Sequence, residues 1–154
     1  MYLTAIIDWY SRMIIGWELD DTLSTAAVKT AVSCAFENAK PEILNSDRGS
    51  QFMSRDYIGL AESSRVKISM DGKGRWADNI PIERRFRTLK YEEIYLKDYE
   101  SPREARREIG KFIQEYNFNR IHSAINCTPA YAYYPAQLYS MLIPSPSAIL
   151  DRTA

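Results

Sequence analysis

Between residues 24 and 70 the chain alternates between helical and extended patterning, and that alternation constrains its fold more than any other feature. Val28, Ala31, Val32, Ala35, Phe36 and Ala39 form one apolar stripe at helical spacing, behind Ser24 or Thr25 as cap. Ile43-Leu44 follows as a short buried strand. Ser54 can cap a second helix through about Ser63, and residues 66–70 form the next strand. Ahead of all these, residues 2–8 and 13–19 are rich in apolar and β-branched side chains. Trp9-Tyr10-Ser11-Arg12 between them reads as a hairpin connection without a glycine-containing turn. An α/β domain built around one core is expected, and the 154-residue length suits it.

The second half is mainly helical. Asp78 or Asn79 can cap a helix in which Pro81 occupies the first turn, where a missing N–H costs nothing. Ile82, Phe86, Leu89 and Glu93 share one face of it, and Glu83, Arg87 and Lys90 share the neighbouring face. Ser101-Pro102-Arg103-Glu104 has the form of a capping box, followed by an amphipathic stripe of Ala105, Ile109, Phe112, Ile113 and Tyr116. The glycines of Asp71-Gly72-Lys73-Gly74-Arg75 make a flexible loop. Residues 135–154 are proline-rich and read as a loosely packed tail, which leaves 1–134 as the single domain.

Two carboxylates stand in distinctive places. Asp47 ends the Ile43-Leu44-Asn45-Ser46 strand and Glu83 opens the basic helix, with 35 residues between them. One hard oxygen ligand at a strand end and one at a helix start suit a divalent-metal site for phosphoryl transfer. Each also has a plainer role. Asp47 before Arg48-Gly49 suits an Asx-turn, and Glu83 gains from the helix dipole whatever its chemistry. Basic and acidic residues balance at 20 each, yet from Arg65 to Lys90 there are eight basic residues against three acids. That local excess suits a phosphate backbone, and equally a solvated helix face. Cys34 and Cys127 lack metal-type spacing and suggest a reducing cytoplasm. No signal segment or membrane-length apolar run is present in the sequence.

The flanks of the two acids resemble known motifs. Asn45-Ser46-Asp47-Arg48-Gly49-Ser50-Gln51-Phe52 is similar to the second-aspartate motif of the DDE transposases of bacterial insertion sequences, whose core resembles retroviral integrase. The stretch from Ala77-Asp78-Asn79 through Glu83-Arg84-Arg85-Phe86 to Lys90-Tyr91-Glu92 is similar to the third-acid motif. Tyr116-Asn117, Arg120, His122 and Thr128-Pro129-Ala130 resemble the C-terminal signature, and the hairpin from Tyr2 to Arg12 resembles the second strand and its turn. The chain departs from the family pattern at Arg48, Phe86 and Ile121, none of them a metal ligand.

The resemblance implies an RNase H-like mixed sheet flanked by helices, and cleavage and strand transfer of DNA ends with Mg²⁺ or Mn²⁺. Asp47 and Glu83 become metal ligands, and Lys90, Arg87, Arg84 and Lys73 become DNA contacts. The loop around Lys73 is one that orders on DNA or metal in similar proteins. The family's first catalytic aspartate lies on a central strand upstream of Tyr2, so residues 1–154 are expected to lack that strand and to have an incomplete two-metal site. Residues 2–8 would then close directly on 43–45, or the protein would self-associate through open strand edges. Asp8 is not expected to replace the missing acid; an ion pair with Arg12 across the turn suits it better. His122 is expected to be structural. Implied partners are transposon-end and target DNA, further copies of the chain, or a full-length transposase, in the cytoplasm of a bacterium at its nucleoid. Two alternatives remain open: a non-catalytic DNA-binding or transposase-interacting remnant on the same fold, and a generic RNase H-like nuclease, which does not account for the C-terminal signature.

Overall fold

The computed structural model describes residues 1–70, 80–135 and 138; at position 38 and over 80–85 it describes the backbone alone. The expected loop around Lys73, the Asp78 or Asn79 cap and most of the tail lie outside the described residues. In chain order the elements are β1 (Tyr2–Ile7), β2 (Ile14–Asp20), α1 (Thr25–Asn38), β3 (Ile43–Ser46), α2 (Arg55–Ser63), β4 (Lys67–Met70), α3 (Ile80–Glu92), a 3₁₀ turn (Ile94–Leu96), α4 (Pro102–Phe118) and α5 (Pro129–Tyr133).

β1 and β2 form an antiparallel hairpin with Tyr2 opposite Asp20 and Ile6 opposite Gly16, and the register shifts between Ile6 and Ile7. The turn closes without glycine. Arg12 takes the left-handed conformation at φ 66° that a glycine would otherwise supply. Its backbone N–H donates to the Asp8 carbonyl at 2.9 Å. The Asp8 carboxylate, however, accepts from the N–H and hydroxyl of Ser11 at 2.8 and 2.6 Å. The expected Asp8–Arg12 ion pair is therefore replaced by an Asx-type turn, in which the nearer donors occupy the carboxylate.

Helix α1 starts where the sequence placed it, with the Ser24 hydroxyl accepting from Ala27 N–H. It presents two faces. Ala27, Ala31 and Ala35 are buried, and the hairpin packs on this small-residue face so closely that a Cβ on Gly16 would stand 2.2 Å from the Ala31 carbonyl oxygen. Val28 and Val32 face a core with Leu44, Tyr57, Ala61 and Val66, onto which Ile6, Phe36, Phe52 and Ile68 pack.

β3 and β4 pair in parallel, Ile43 opposite Lys67 and Ser46 opposite Met70. The expected closure of β1 on β3 is not formed. Among the described residues β1 pairs only with β2 and β3 only with β4. Side-chain packing takes the place of a ladder, because Ile6 and Leu44 both rest on the valine face of α1.

Helix α4 carries the predicted cap, with the Ser101 hydroxyl accepting from Glu104 N–H at 3.2 Å. The Glu104 carboxylate turns back to the N–H of Glu100 at 2.8 Å rather than to that of Ser101. Its buried stripe runs Ala105, Ile109, Ile113 and Tyr116, then Asn117; Leu3, Ile14, Trp17 and Tyr99 pack against this second core. Phe112 is half-buried. Asn117 reads the free edge of β2 as another strand would. Its Oδ1 accepts from Ile14 N–H at 3.0 Å and its Nδ2 donates to the Ile14 carbonyl at 2.9 Å. Further along the same edge Arg106 donates to the Leu19 carbonyl at 2.7 Å and pairs with Glu18. An edge strand is thus closed by side chains.

Candidate metal and nucleic-acid site

Asp47 follows β3 directly and is exposed. Buried Leu44 and Ser46 fix the strand below it. Its Oδ1 accepts from Gly49 N–H at 2.8 Å, the Asx-turn that the Asp-Arg-Gly sequence allows. The turn orients the carboxylate through one oxygen without burying it, and an exposed carboxylate is a hard anionic donor of the kind Mg²⁺ selects. Beyond it Phe52 N–H donates to the Gly49 carbonyl at 2.9 Å, and the Ser54 hydroxyl caps α2 by accepting from Tyr57 N–H.

Glu83 and Arg84 lie in the first half of α3, where the structure gives their backbone; their side chains are outside the described residues. Lys73 is outside them as well. Arg87 and Lys90 are described, and both are exposed. Neither forms an ion pair with a described carboxylate: Glu92 is taken by Arg120, and Glu93 by Lys97 at 2.8 Å and the Tyr99 hydroxyl at 3.2 Å. No described hydrogen bond or ion pair joins Asp47 to either cation. Among the described residues no group of three His, Cys, Asp or Glu side chains is gathered as a metal cage.

What holds α3 down is polar as much as apolar. Leu89 and Glu93 are buried on the face expected for them, and Phe86 is half-buried. The Glu93 carboxylate and Glu108 on α4 both bind Lys97, whose pKa rises to about 12 through these hydrogen bonds. Glu108 is pulled down to about 2 by hydrogen bonds from Lys111, Lys97 and Arg107. Burial, with the nearby Glu93 charge, pushes the Tyr99 hydroxyl up to about 12. At the end of the helix Glu92 meets Arg120 through both carboxylate oxygens, one contact at 2.9 Å, and the Arg120 hydrogen bond lowers the Glu92 pKa.

This tie between α3 and the segment after α4 was missed by sequence reasoning, since nothing marks two residues 28 positions apart as partners. The C-terminal signature around it is a compact structural turn. His122 N–H donates to the Cys127 carbonyl at 2.9 Å, Asn126 takes φ 53°, and Thr128 caps α5 by accepting from Tyr131 N–H. The His122 backbone is part of this turn.

Residues 1–75 match one family model described as an integrase core domain, and residues 64–129 match a second of the same description. The transposase for insertion sequence element IS904 of Lactococcus lactis is 34% identical over 130 residues, covering 82% of this chain and 51% of that protein. The putative transposase InsK for IS150 of Escherichia coli is 31% identical over 124 residues, covering 79% and 44%. The chain thus spans about half the length of these relatives. Among solved structures, the HTLV-2 integrase catalytic core domain in complex with magnesium superposes with a TM-score of 0.67 at 18% identity, covering 83% of this chain and 81% of that one. The catalytic core domain of BIV integrase does so with 0.68 at 17%, covering 92% and 90%. The expected RNase H-like α/β fold is the one the chain has.

Proposed function

The chain belongs to the integrase core domain family, and from that membership we propose that it is the catalytic-core portion of an insertion-sequence transposase. Its chemistry would be divalent-metal-dependent cleavage and strand transfer of DNA ends. The observation that carries this reading is Asp47: an exposed carboxylate, aimed by one backbone hydrogen bond, at the end of a strand whose neighbours are buried. We take residues 1–134 as the core and 135–154 as a tail.

Asp47 and Glu83 would hold Mg²⁺ or Mn²⁺. Such a cation lowers the pKa of an attacking water or hydroxyl and stabilises charge on the leaving oxygen. Arg87 and Lys90, with Arg84 and Lys73, would hold the phosphates of the scissile strand by charge-assisted contacts that position DNA without reading its sequence. Residues 1–154 bring two assigned acids to this site. DNA, and further copies of a transposase, are the partners this chemistry calls for.

The test is a Mn²⁺ titration of the chain, followed by the relaxation of water protons, with and without a duplex oligonucleotide. Asp47→Asn and Glu83→Gln should each weaken Mn²⁺ binding while leaving low-salt DNA binding intact. Arg87→Ala with Lys90→Ala should do the reverse. Mn²⁺ binding unchanged in Asp47→Asn, or strong cleavage by the chain alone that depends on Asp8, would overturn the assignment.

A further inference from the structure

Three side chains follow one another from the turn of α3 that carries Glu83 into the 3₁₀ turn beyond it: Arg87 and Tyr91 on α3, and Tyr95 in the turn. They succeed one another at intervals of four residues, and Tyr91 stands about 6 Å beyond Arg87 along the α-helix. The Arg87 guanidinium lies over the Tyr91 ring, 5.8 Å from its centroid. Tyr91 and Tyr95 meet edge to face at 5.4 Å and 89°. An edge-to-face pair covers one face of one ring only, and Tyr91 and Tyr95 are 61% and 64% exposed. Large aromatic side chains left this open, and held in fixed geometry by each other and by a cation, form a surface made for contact.

The charges around the rings decide what kind of contact. Arg87 lies over one ring and Lys90 directly precedes Tyr91 in the chain, and neither forms an ion pair with a described carboxylate. The two acids between Arg87 and Lys97 are both engaged, Glu92 by Arg120 and Glu93 by Lys97. What remains is cationic and aromatic at once, so the fitting occupant offers anionic groups and flat π-faces in alternation. A single nucleic-acid strand does so, with one phosphate and one base per step. A duplex does not, because its bases are stacked on each other and present only their edges.

We infer that the Arg87–Tyr91–Tyr95 ridge is a stacking platform for unpaired bases of one DNA strand, whose phosphates Arg87 and Lys90 hold. The inference rests on the DNA-binding reading above and adds to it a preference for single-stranded DNA next to the site. The duplex would have to be open there.

The experiment measures binding of the intact chain to a short single strand carrying 2-aminopurine, and to its duplex, over a range of salt. The expected result is tighter binding to the single strand, with 2-aminopurine fluorescence quenched on stacking. Tyr91→Ala and Tyr95→Ala should each lower single-strand affinity on the order of tenfold, with the slope against salt unchanged. Tyr91→Phe and Tyr95→Phe should keep both affinity and quenching. Arg87→Ala with Lys90→Ala should instead flatten the salt slope.

Single-strand affinity and quenching unaffected by both alanine variants, with wild-type binding intact, would overturn the platform while sparing the DNA-binding reading. Tyrosine variants that instead change the sedimentation of the free chain would also overturn it, by assigning the ridge to contacts between copies. No binding to either DNA form at low salt would overturn both readings.

Discussion

At the scale of single residues, the positions that matter most are those where a side chain stands in for backbone or is forbidden by it. Asn117 supplies one acceptor and one donor to Ile14 from inside a buried helix face. Asn117→Leu keeps the bulk but takes the partner from both Ile14 groups, which are half-buried, so the cost is below the sum of two fully buried losses of about 1–3 kcal/mol each. A fall of about 1–3 kcal/mol in denaturant-derived stability, with loss of amide-exchange protection at Ile14, is the expected outcome. Gly16→Ala drives a Cβ to 2.2 Å from the Ala31 carbonyl. That contact is with backbone and cannot yield by a rotamer change, so about 1–3 kcal/mol of overpacking is expected, visible as a lowered melting temperature.

Much at this scale could be read in the sequence where the cause is local. Ser24, Ser54 and Ser101 cap their helices as their neighbours dictate, and Asp47 takes the turn that Gly49 permits. The role of Asn117 could not be read in full. Its polar side chain on the buried stripe, four residues after Ile113, signals that something needs hydrogen bonds there, but the recipient is 103 residues away.

At the scale of elements, α3 is the case to examine, because it carries the proposed ligand and its anchoring is electrostatic as well as apolar. Glu108 is held down to about 2 from an ordinary 4.5 by Lys111, Lys97 and Arg107. A carboxylate depressed on folding adds stability that is complete above 4.5 and is lost as pH falls toward 2. Stability of the wild type should therefore drop more steeply across that window than stability of Glu108→Gln, measured by denaturant unfolding at each pH.

The Glu92–Arg120 pair is exposed, so its worth is modest, about 0.2–1 kcal/mol. A double-mutant cycle with Glu92→Gln and Arg120→Gln should return a coupling in that range which fades with added salt. Helical periodicity placed Leu89 on the inner face of α3, since that is a property of the helix alone, and Glu93, just past the helix end, is buried with it. It could not show that Lys97, Glu108 and Arg120 would converge on that end of α3, because two other elements bring them there.

At the scale of the whole molecule, α1 joins the hairpin to the parallel pair, and no backbone ladder runs between β1 and β3 among the described residues. Strand existence was legible from short apolar runs; strand partnership was not, because pairing depends on packing that β1 and β3 find on α1 instead. Val32→Ala removes buried methyls from the core that Leu44, Tyr57 and Ile6 share. It should cost about 2 kcal/mol and lower exchange protection in β1–β2 and β3–β4 together. Loss confined to one pair would mean that the two halves open independently. The site inherits this arrangement: Asp47 is held from the α1 core, whereas α3 is held from the α4 side.

The closure of β2 by Asn117 also has a consequence in time. The hairpin is complete by Asp20, but its cover arrives with residue 117. At ribosomal rates this is roughly 5–20 s later. During that interval Ile14 and its neighbours offer a bare strand edge to any extended chain nearby. The edge that Asn117 closes in the finished protein is thus open while α1 to α4 are being made, where a chaperone or a neighbouring nascent chain could reach it first.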